Sequence, residues 1–494
     1  MNKKNMTHNP LASLFTAALL LLGVYSNAST KVKAPAPISP IPTRNQVDWQ
    51  RMETTAFIHF GMNTFHNLEW GDGSAPATEF APQSVDCDQW ARVLSEGGIK
   101  EVILTCKHHD GFCLWPSRYT DYTIAHSPYK NGKGDIVGEM AAACRKYGLK
   151  FGIYLSPWDR HQASYGTPAY VEHYYKQLHE LLTNYGDIYE VWLDGANGGD
   201  GYYGGANEKR TIDRRTYYDF SRAAKMVAEL QPHAVIFSDA GPGCRWVGNE
   251  KGFADPTNWS FLRSKDVFVG YDKAEELTTG HPDGDMWAAS ECDVSIRPGW
   301  FYHANEDAKV KTPDELLEIY YKSVGRNGLM LLNLPPGPDG RIHEADINSL
   351  MNFRKKLNAE LGHNLANKAK VKASDSRGNG YGAANVNDGN FDTYWAPHDR
   401  ITNGMLTLTF PKATAINRLM LQEYIPLGQR VKAFHVDYYA NGKWQRLPLD
   451  EPTTTIGYKR LLRFPTITTN KVRITISDAR ACPCINEIGV FCAP

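Results

Sequence analysis

The fold is decided by IYEVWLDG, residues Ile188–Gly195, a mostly apolar run that ends in a carboxylate and a glycine. Its length, its β-branched and aromatic side chains and the flanking Gly186 predict a short buried strand. Asp194 then lies at the carboxyl end of that strand, which is the edge where parallel α/β proteins form their active sites. For this strand alone, the alternative is that Asp194 caps the next helix or begins a turn.

The same pattern recurs on both sides of this stretch, with strand-like apolar runs separated by segments of helical periodicity. The predicted strands are 56–61, 101–106, 150–156, 234–239, 286–291 and 328–333. The predicted helices are 85–98, 135–147, 170–185, 216–230 and 312–325. Alternation of this kind is typical of a parallel sheet with crossover helices. We therefore expect an α/β fold, a (β/α)8-like barrel over residues 46–362, with irregular or missing helices in its second half.

Beyond the barrel the pattern changes to short alternating segments separated by Gly, Asn and Asp turns. Examples are 406–410, 433–438 and 472–476. Short strands at this spacing predict an all-β sandwich domain over residues 365–494.

The first residues have the layout of a secretory signal peptide. Lys3 and Lys4 precede an apolar run, and small residues follow it up to Ala28. The run is shorter than the roughly 20 residues of a membrane span. We expect a signal peptide at 1–28, an extended proline-rich lead-in at 29–45, and a mature protein secreted to the periplasm without membrane insertion.

The charge balance argues against nucleic acid and anionic membranes as partners. Lys plus Arg and Asp plus Glu both number 54, so no net field draws the protein to a polyanion. The 12 Trp and 26 Tyr offer flat apolar faces with polar edges. Such side chains suit stacking on sugar rings, although large cores use them too.

Polar and aromatic side chains stand at the ends of nearly all the predicted strands. In a barrel they would meet on one concave face. Their composition favours a neutral polyhydroxylated ligand, and the sequence has no Walker-type phosphate loop and no dinucleotide-binding fingerprint. These strand-end residues are His59, His108, His109, Tyr154, Trp158, Asp194, Asp239, Glu291 and Asn333.

Two kinds of hydrolase fit a pocket of carboxylates and histidines. A retaining glycosidase needs a carboxylate nucleophile and a second carboxyl group about 5–5.5 Å away. A metal-dependent hydrolase needs several His and Asp side chains around one ion. His108 and His109 are adjacent, so on a strand their side chains point to opposite faces. The residues therefore favour the glycosidase, whose mechanism needs no cofactor.

Five motifs, in order along the chain, resemble those of the α-L-fucosidases of glycoside hydrolase family 29. They are FIHFGMNTF (57–65), EWG (69–71), KHHDGF (107–112), YLSPW (154–158) and WLDG (192–195). The resemblance covers about residues 45–360 and implies a retaining, exo-acting enzyme with Asp194 as the nucleophile. It implies that the substrate is bound by His59, Glu69, Trp70, His108, His109 and Tyr154, and Trp158 is a further candidate at the end of its motif.

The acid/base has two candidates. Glu250 lies in RWVGNEKG (245–252), and Glu291 lies in SECDVSIRPGW (290–300). The first segment resembles the Gly-Asn-Glu segment of the subfamily that acts on branched α-1,3/1,4-fucosides, which favours Glu250. Glu291, at a strand end beside Arg297 and Trp300, would then bind substrate together with them or orient the site. The structural alternatives are an exposed loop carboxylate at Glu250 and a buried acid satisfied by Arg297 at Glu291.

The C-terminal domain resembles discoidin-type carbohydrate-binding domains, most clearly in NDGNFDTYW (387–395). The resemblance implies a structural calcium ion held by Asp388, Asp392 and Glu487, because calcium prefers oxygen ligands. The alternative is an Asx-rich turn that needs no ion.

These features predict an α-L-fucosidase that releases fucose from branched α-1,3/1,4-linked glycans, with fucosylated oligosaccharides or glycoconjugates as its partners. One alternative is a retaining glycosidase for another neutral or deoxy sugar. The other is a non-catalytic glycan-binding protein built on the same barrel.

Overall fold

A closed barrel of parallel strands precedes an antiparallel β domain in the computed structural model, which describes residues 32–378 and 380–494. The predicted fold class is therefore confirmed. The predicted signal peptide at 1–28 and the first part of the lead-in lie outside the described residues. Within those residues, no helix has both the length and the apolar character needed to cross a membrane.

Eight short strands form the barrel, and each is hydrogen-bonded to its neighbours in sequence, with the last strand closing on the first. They are β1 (Thr54–Ile58), β2 (Glu101–Lys107), β3 (Lys150–Leu155), β4 (Glu190–Trp192), β5 (Val235–Ser238), β6 (Cys244–Trp246), β7 (Ala289–Ser295) and β8 (Leu329–Asn333). The sequence pattern does not predict β6. It also placed a strand at 286–291, whereas Met286–Trp287 pairs with Phe261–Leu262 in a separate hairpin and β7 begins at Ala289.

Helices surround the first half of the barrel regularly and the second half irregularly. They are α1 (Arg44–Gln50), α2 (Met62–His66), α3 (Cys87–Glu96), α4 (Ile136–Tyr147), α5 (Pro168–Asn184), α6 (Phe220–Leu230), α7 (Ala274–Thr279), α8 (Pro313–Lys322) and α9 (Glu344–Leu361). Local sequence sets their ends: Asp135 caps α4 through the Gly138 N–H, and Thr312 begins α8 with a capping box. Residues 239–243 join β5 to β6 without a helix, which confirms the predicted irregularity.

Side chains fill the barrel interior, and α1 closes its lower end. The indole N–H of Trp49 on α1 donates to Glu190 at 2.8 Å, at the start of β4. Above it, Phe57, Trp192 and Phe237 pack together as one buried cluster. These packed side chains close the interior of the barrel below the carboxyl ends of its strands.

The C-terminal domain is built from six antiparallel strands, as the all-β prediction required. They are β9 (Lys370–Ala373), β10 (Gly404–Glu423), β11 (Val431–Ala440), β12 (Lys443–Arg446), β13 (Arg460–Ala479) and β14 (Ile485–Phe491). The first half of β10 pairs with β9 and its second half pairs with β14, with register shifts in between. The long strands thus bend and enclose their own core, which includes Trp395, Leu408 and Ile488.

A buried asparagine joins the two domains. Asn327, between α8 and β8, is 1% exposed and has a left-handed backbone with φ of 65°. Its side-chain oxygen accepts from the Tyr458 N–H at 2.7 Å, and its own N–H donates to the Lys459 carbonyl at 2.9 Å. Its side-chain nitrogen donates to the carbonyl of Asn258 at 3.0 Å. One residue therefore satisfies polar groups from both domains.

The lead-in lies on the C-terminal domain. Backbone carbonyls of Lys33, Ala36 and Ser39 accept hydrogen bonds from arginines of that domain at 2.9, 2.7 and 2.8 Å. The donors are, in the same order, Arg377, Arg430 and Arg480. The described part of the lead-in contains no helix or strand before α1.

Candidate active site

A pocket of about 320 Å³ opens at the carboxyl ends of the barrel strands. This volume is near the lower end of the roughly 300–1,000 Å³ typical of ligand pockets, so the pocket suits one small ligand. Its lining contains most of the residues predicted from sequence: His59, Trp70, His108, His109, Tyr154, Asp194, Glu250 and Trp300. It also contains Phe57, Trp192, Gly195, Ala196, Phe237, Asp239, Trp246, Gly270, Tyr271 and Asp293.

Asp194 lies two residues beyond β4, at the base of the pocket. Its Oδ1 accepts the N–H of Ala196 at 2.6 Å, and its Oδ2 accepts the hydroxyl of Tyr154 at 2.9 Å. The Nε2 atom of His109 lies 3.9 Å from Oδ2. Donors thus orient both oxygens, while the side chain remains 23% exposed to the pocket.

The hydrogen-bond network assigns the protons of His59. Its Nδ1 lies 2.8 Å from Oδ1 of Asn333, whose amide nitrogen donates to the hydroxyl of Ser295 at 2.9 Å. The asparagine oxygen must therefore accept, so His59 is protonated on Nδ1 and keeps Nε2 as an acceptor. Burial lowers the pKa of His59 to about 3, so the ring is neutral.

His108 and His109 adopt opposite tautomers. Asn63 donates to Nδ1 of His108 at 3.3 Å because its oxygen already accepts from Gly71, so His108 carries its proton on Nε2. Ser156 donates to the Trp158 carbonyl, so its oxygen accepts from Nδ1 of His109 at 2.7 Å. Burial lowers the pKa of both rings. The three histidines together offer donors and acceptors, which matches sugar hydroxyls.

Glu250 lies on the loop after β6, at the exposed rim of the pocket. Its Oε2 accepts the indole N–H of Trp300 at 3.2 Å. Partial burial raises the pKa of Glu250, and the negative charges of Asp194 and Glu69 raise it further, against the opposing effect of the Trp300 N–H. A raised pKa keeps the proton on a carboxyl group that must act as an acid near neutral pH.

Glu69 acts from behind the pocket wall. Its two carboxylate oxygens accept the backbone N–H groups of Trp300 at 2.8 Å and Phe301 at 3.1 Å. Nε2 of His303 lies 2.6 Å from the same carboxylate. Glu69 is not part of the pocket lining and instead holds the loop that carries Trp300.

Trp70 and Trp158 have different surroundings. Trp70 lines the pocket and is 54% exposed. Trp158 is buried behind it, edge-on to Trp70 with ring centroids 5.7 Å apart, and tilted against His109 at 5.3 Å. Trp158 therefore supports two pocket residues but does not line the pocket.

The placement of Glu291 corrects the prediction that it ends a strand and faces the substrate. It is the third residue of the seven-residue strand β7, is 0% exposed, and accepts the indole N–H of Trp192 at 2.8 Å. Alternate residues of β7 point into the barrel, so Asp293, one step higher, reaches the pocket instead.

Arg297 also lies outside the pocket lining and does not neutralise Glu291. Its Nε donates to Asp346 at 3.0 Å and its Nη1 donates to Asp307 at 2.8 Å. The side chain is 0% exposed in this ion-pair network, which joins the loop after β7 to α9. Of the predicted residues Glu291, Arg297 and Trp300, only Trp300 lines the pocket.

Two further carboxyl groups line the pocket that the predicted catalytic and binding set omitted. Asp239 accepts the Gly270 N–H at 2.6 Å, and a side-chain carbon at Gly195 would collide with it. Burial, with a smaller contribution from Asp194, raises the pKa of Asp239 to about 7. Asp293 accepts the indole N–H of Trp246 at 2.9 Å, and burial and Glu250 raise its pKa. The sequence pattern already placed Asp239 at a strand end. It could not identify Asp293, because it predicted that the strand ends at Glu291 and β7 ends at Ser295.

Of the three predicted calcium ligands, the structure brings Asp388 and Glu487 near each other. Glu487 accepts the Gly389 N–H at 3.2 Å, and its pKa is raised to about 7 by burial and by the negative charge of Asp388. Asp388 therefore lies near Glu487, and its two oxygens accept within their own loop, from the Asn390 N–H at 2.9 Å and the Thr393 hydroxyl at 2.7 Å. Asp392 lies near Arg44 and Tyr424 instead.

The barrel and its pocket define the class of the protein. A pocket sized for one sugar places an oriented carboxylate at its base and a carboxyl group of raised pKa at its rim, between neutral histidines and indole faces. Hydrolysis of a glycosidic bond requires this division of labour. By fold and site the protein is a glycoside hydrolase.

Comparison with known proteins identifies the family. Residues 22–360 match the model for Alpha-L-fucosidase, and residues 370–487 match the F5/8 type C domain. Alpha-L-fucosidase 1 of Arabidopsis thaliana is 42% identical over 485 residues, covering 97% of this chain and 92% of that protein. The chain therefore belongs to the alpha-L-fucosidase family, and its activity is that of an alpha-L-fucosidase.

Solved structures agree with this assignment. A glycoside hydrolase 29 family member from an unknown rumen bacterium is 45% identical with a TM-score of 0.83, covering 93% of this chain and 78% of that one. A GH29 fucosidase of Ruminococcus gnavus, solved in complex with fucose, is 34% identical with a TM-score of 0.83, covering 94% and 97%.

Proposed function

We propose that the protein is a retaining exo-α-L-fucosidase that releases fucose from α-1,3/1,4-linked branched glycans. One observation carries the mechanism: Asp194, with both oxygens oriented by donors, shares a pocket for one sugar with Glu250, whose pKa its charge raises. The small pocket favours attack at a chain end. The fucose complex of the Ruminococcus gnavus enzyme supports fucose as the sugar bound here.

In this mechanism Asp194 attacks the anomeric carbon and forms a covalent glycosyl ester. Glu250 donates its proton to the departing glycosidic oxygen. Glu250 then takes a proton from water, which attacks the same carbon and releases fucose with its configuration retained. The neutral histidines hold the sugar hydroxyls, and Trp70 and Trp300 cover the ring.

The preference for branched glycans rests on the loop that carries Glu250. Its Gly248-Asn249-Glu250 segment resembles that of the enzymes acting on α-1,3/1,4-linked fucose. Asn249 shapes the loop by accepting the Lys251 N–H at 3.1 Å and donating to the Phe253 carbonyl at 2.9 Å. The acid is thereby presented at the rim, where a branched aglycone would lie.

The test is hydrolysis of an aryl α-L-fucoside and of a Lewis-type trisaccharide by wild type, Asp194→Ala, Glu250→Ala and Glu291→Ala. We expect Asp194→Ala to lose nearly all turnover. Glu250→Ala should lose about 10²–10⁴-fold on the trisaccharide, far less on an activated aryl fucoside, and recover rate with azide. NMR of the first-formed fucose should give the α-anomer.

Three outcomes would contradict parts of the proposal. Azide rescue in Glu291→Ala would move the acid/base to Glu291. A β-anomer as the first product would exclude retention. Equal rates on α-1,2-linked and on branched α-1,3/1,4-linked substrates would remove the linkage preference, and activity only on another aryl glycoside would change the sugar.

We also propose that the mature protein is secreted to the periplasm and that its C-terminal domain binds calcium between Asp388 and Glu487. Cell fractionation tests the first point. For the second, calcium added after chelation should raise the melting temperature more at pH 8 than at pH 5, because the pKa of Glu487 is about 7 and its proton competes with the ion. Glu487→Gln should remove the effect.

A further inference from the structure

Three acidic side chains lie inside the barrel beneath the pocket. Glu101, Glu190 and Glu291 are each 0% exposed. A carboxyl oxygen of Glu190, one of Glu291 and the sulfur of Cys244 lie within 4.8 Å of one another. The catalytic mechanism above uses none of these groups.

One of the three contacts the pocket floor. Oε1 of Glu291 accepts the indole N–H of Trp192 at 2.8 Å. The N–H lies at the edge of the indole, and a face of the indole stacks flat on Phe237, with ring centroids 3.8 Å apart and planes 7° apart. The ring also packs against Tyr154, at 5.5 Å, whose hydroxyl donates to Asp194. Two residues, Trp192 and Tyr154, therefore connect Glu291 to the nucleophile.

Burial also affects the ionisation of Glu291. Its Oε2 has no hydrogen-bond partner among the described residues. Burial raises the pKa of Glu291 to about 8, and it also raises the pKa of Glu190 beside it. Burial therefore favours the neutral form of both carboxyl groups, while Oε1 of Glu291 accepts from Trp192.

We propose that Glu291 is a positioning residue, whose neutral carboxyl group fixes the Trp192 indole and, through it, Tyr154 and Asp194. This inference rests on the proposed role of Asp194. Glutamine keeps the oxygen that accepts from Trp192 and carries no charge, so it reproduces this contact without any acid. An acid/base, or an ionised ligand of a metal bound with Glu190 and Cys244, could not be replaced in this way.

The test compares Glu291→Gln, Glu291→Leu and the control Glu101→Leu. Glu101 is equally buried, but among the residues that the structure describes neither of its carboxylate oxygens has a hydrogen-bond partner. We expect kcat within about threefold of wild type for Glu291→Gln and for the control. Glu291→Leu should lower kcat about 10- to 100-fold with little change in KM, as expected when an oriented group is misplaced. Loss of kcat in Glu291→Gln as large as in Glu291→Leu would overturn the proposal.

A double-mutant cycle tests the route through Trp192. Trp192→Phe removes the N–H that Glu291 accepts. The double variant Trp192→Phe with Glu291→Leu should be no slower than the slower single variant, because both remove the same contact. If the loss of kcat in the double variant equals the product of the two single losses, the two side chains act independently, which would contradict the route through Trp192.

Crystal structures separate this inference from the proposed function. The Trp192 ring should keep its place in Glu291→Gln and rotate or shift in Glu291→Leu, whether or not either protein hydrolyses a fucoside. An unmoved ring in Glu291→Leu would overturn the positioning role. Inactivity of the wild type on fucosides would instead count against the proposed function alone.

Discussion

Tyr154 links the barrel interior to the carboxylate at the base of the pocket. Its ring packs edge-on to Phe57, at 6.1 Å, and against Trp192, while its hydroxyl reaches Oδ2 of Asp194. A ring packed in this way has little freedom, so the bond fixes one oxygen of Asp194 in direction. Orientation of this kind raises the rate of attack on a single carbon atom.

Replacing Tyr154 by phenylalanine should therefore lower kcat about 10- to 100-fold. A hydrogen bond to a charged group contributes about 1.5–3 kcal/mol, and each 1.36 kcal/mol is a factor of ten in rate. The measurement is steady-state hydrolysis of an aryl fucoside. Tyr217→Phe is the matched control, since its hydroxyl bonds only backbone groups of Gly166 and Thr167. Equal losses in both variants would contradict the prediction.

Glu250 should titrate at lower pH when Asp194 loses its charge. The negative charge of Asp194 is one cause of the raised pKa of Glu250, and removing it favours the ionised form. We expect the pKa of Glu250 to be lower in Asp194→Asn than in wild type, measured by carboxyl ¹³C NMR with Glu250→Gln for assignment. The pKa of Glu250 would also fall when Asp194 forms the ester, because the ester carries no charge. Glu250 would then be ionised and able to act as a base. An unchanged pKa would contradict this coupling.

The loop after β7 owes its position to a residue from another loop. Glu69 follows α2 and accepts two backbone N–H groups at Trp300 and Phe301. Asn333, at the end of β8, donates to the Trp300 carbonyl at 2.8 Å. Contacts from two barrel units thus hold the indole that donates to Glu250.

Glu69→Ala should free this loop and lower kcat/KM about tenfold or more, because two hydrogen bonds to a charged group are lost. Hydrogen exchange of residues 299–303 should become faster in the same variant. Glu79→Ala is the control, because its carboxylate pairs with the side chain of His66 and not with a backbone N–H of this loop. Lost activity with unchanged exchange would show that Glu69 acts on the sugar directly.

The sequence predicted the barrel because most of its strands are apolar runs flanked by helices of clear period. It missed β6, since three residues that follow Gly243 without a helix give no periodic signal. It misplaced β7 for a related reason. Met286–Trp287 is strand-like in composition but belongs to a hairpin, so the strand end was assigned to Glu291 instead of Ser295.

The pocket was predictable where a motif fixed both residue and strand end, as for His59, His108, Tyr154 and Asp194. Contacts between distant segments left no local signal. The carboxylate of Glu69 bonds residues more than 200 positions later, so sequence could suggest that it matters but not that it holds a loop. Arg297 was associated with Glu291 by proximity in sequence, whereas its partners Asp307 and Asp346 come from a later loop and α9.

At the scale of the whole molecule, the two domains share buried polar contacts. Asn327 is the centre of one group, and Glu53 of another, where its carboxylate accepts from Tyr320 of the barrel and from Tyr458 of the C-terminal domain at 2.5 and 2.7 Å. Buried polar groups of this kind are costly when unpaired. The C-terminal domain is therefore fixed to the barrel side that carries α1, away from the pocket.

Asn327→Ala should reduce the free energy of unfolding by about 2–6 kcal/mol. It leaves the Tyr458 N–H without an acceptor and places alanine at a left-handed φ, and each effect is worth about 1–3 kcal/mol. Denaturant unfolding followed by circular dichroism measures the change. Asn352→Ala, at an exposed helix position, should change stability by less than about 0.5 kcal/mol. A change of less than about 0.5 kcal/mol for Asn327→Ala would contradict the role of Asn327 in joining the two domains.

The contacts of residues 33–39 have a consequence for how the chain is made. Their arginine partners lie 344, 394 and 441 positions later in sequence. A ribosome makes this segment early, yet it can settle only after almost the whole chain has emerged. Docking of residues 33–39 therefore follows formation of the C-terminal domain that carries these arginines, so it is a late step of folding.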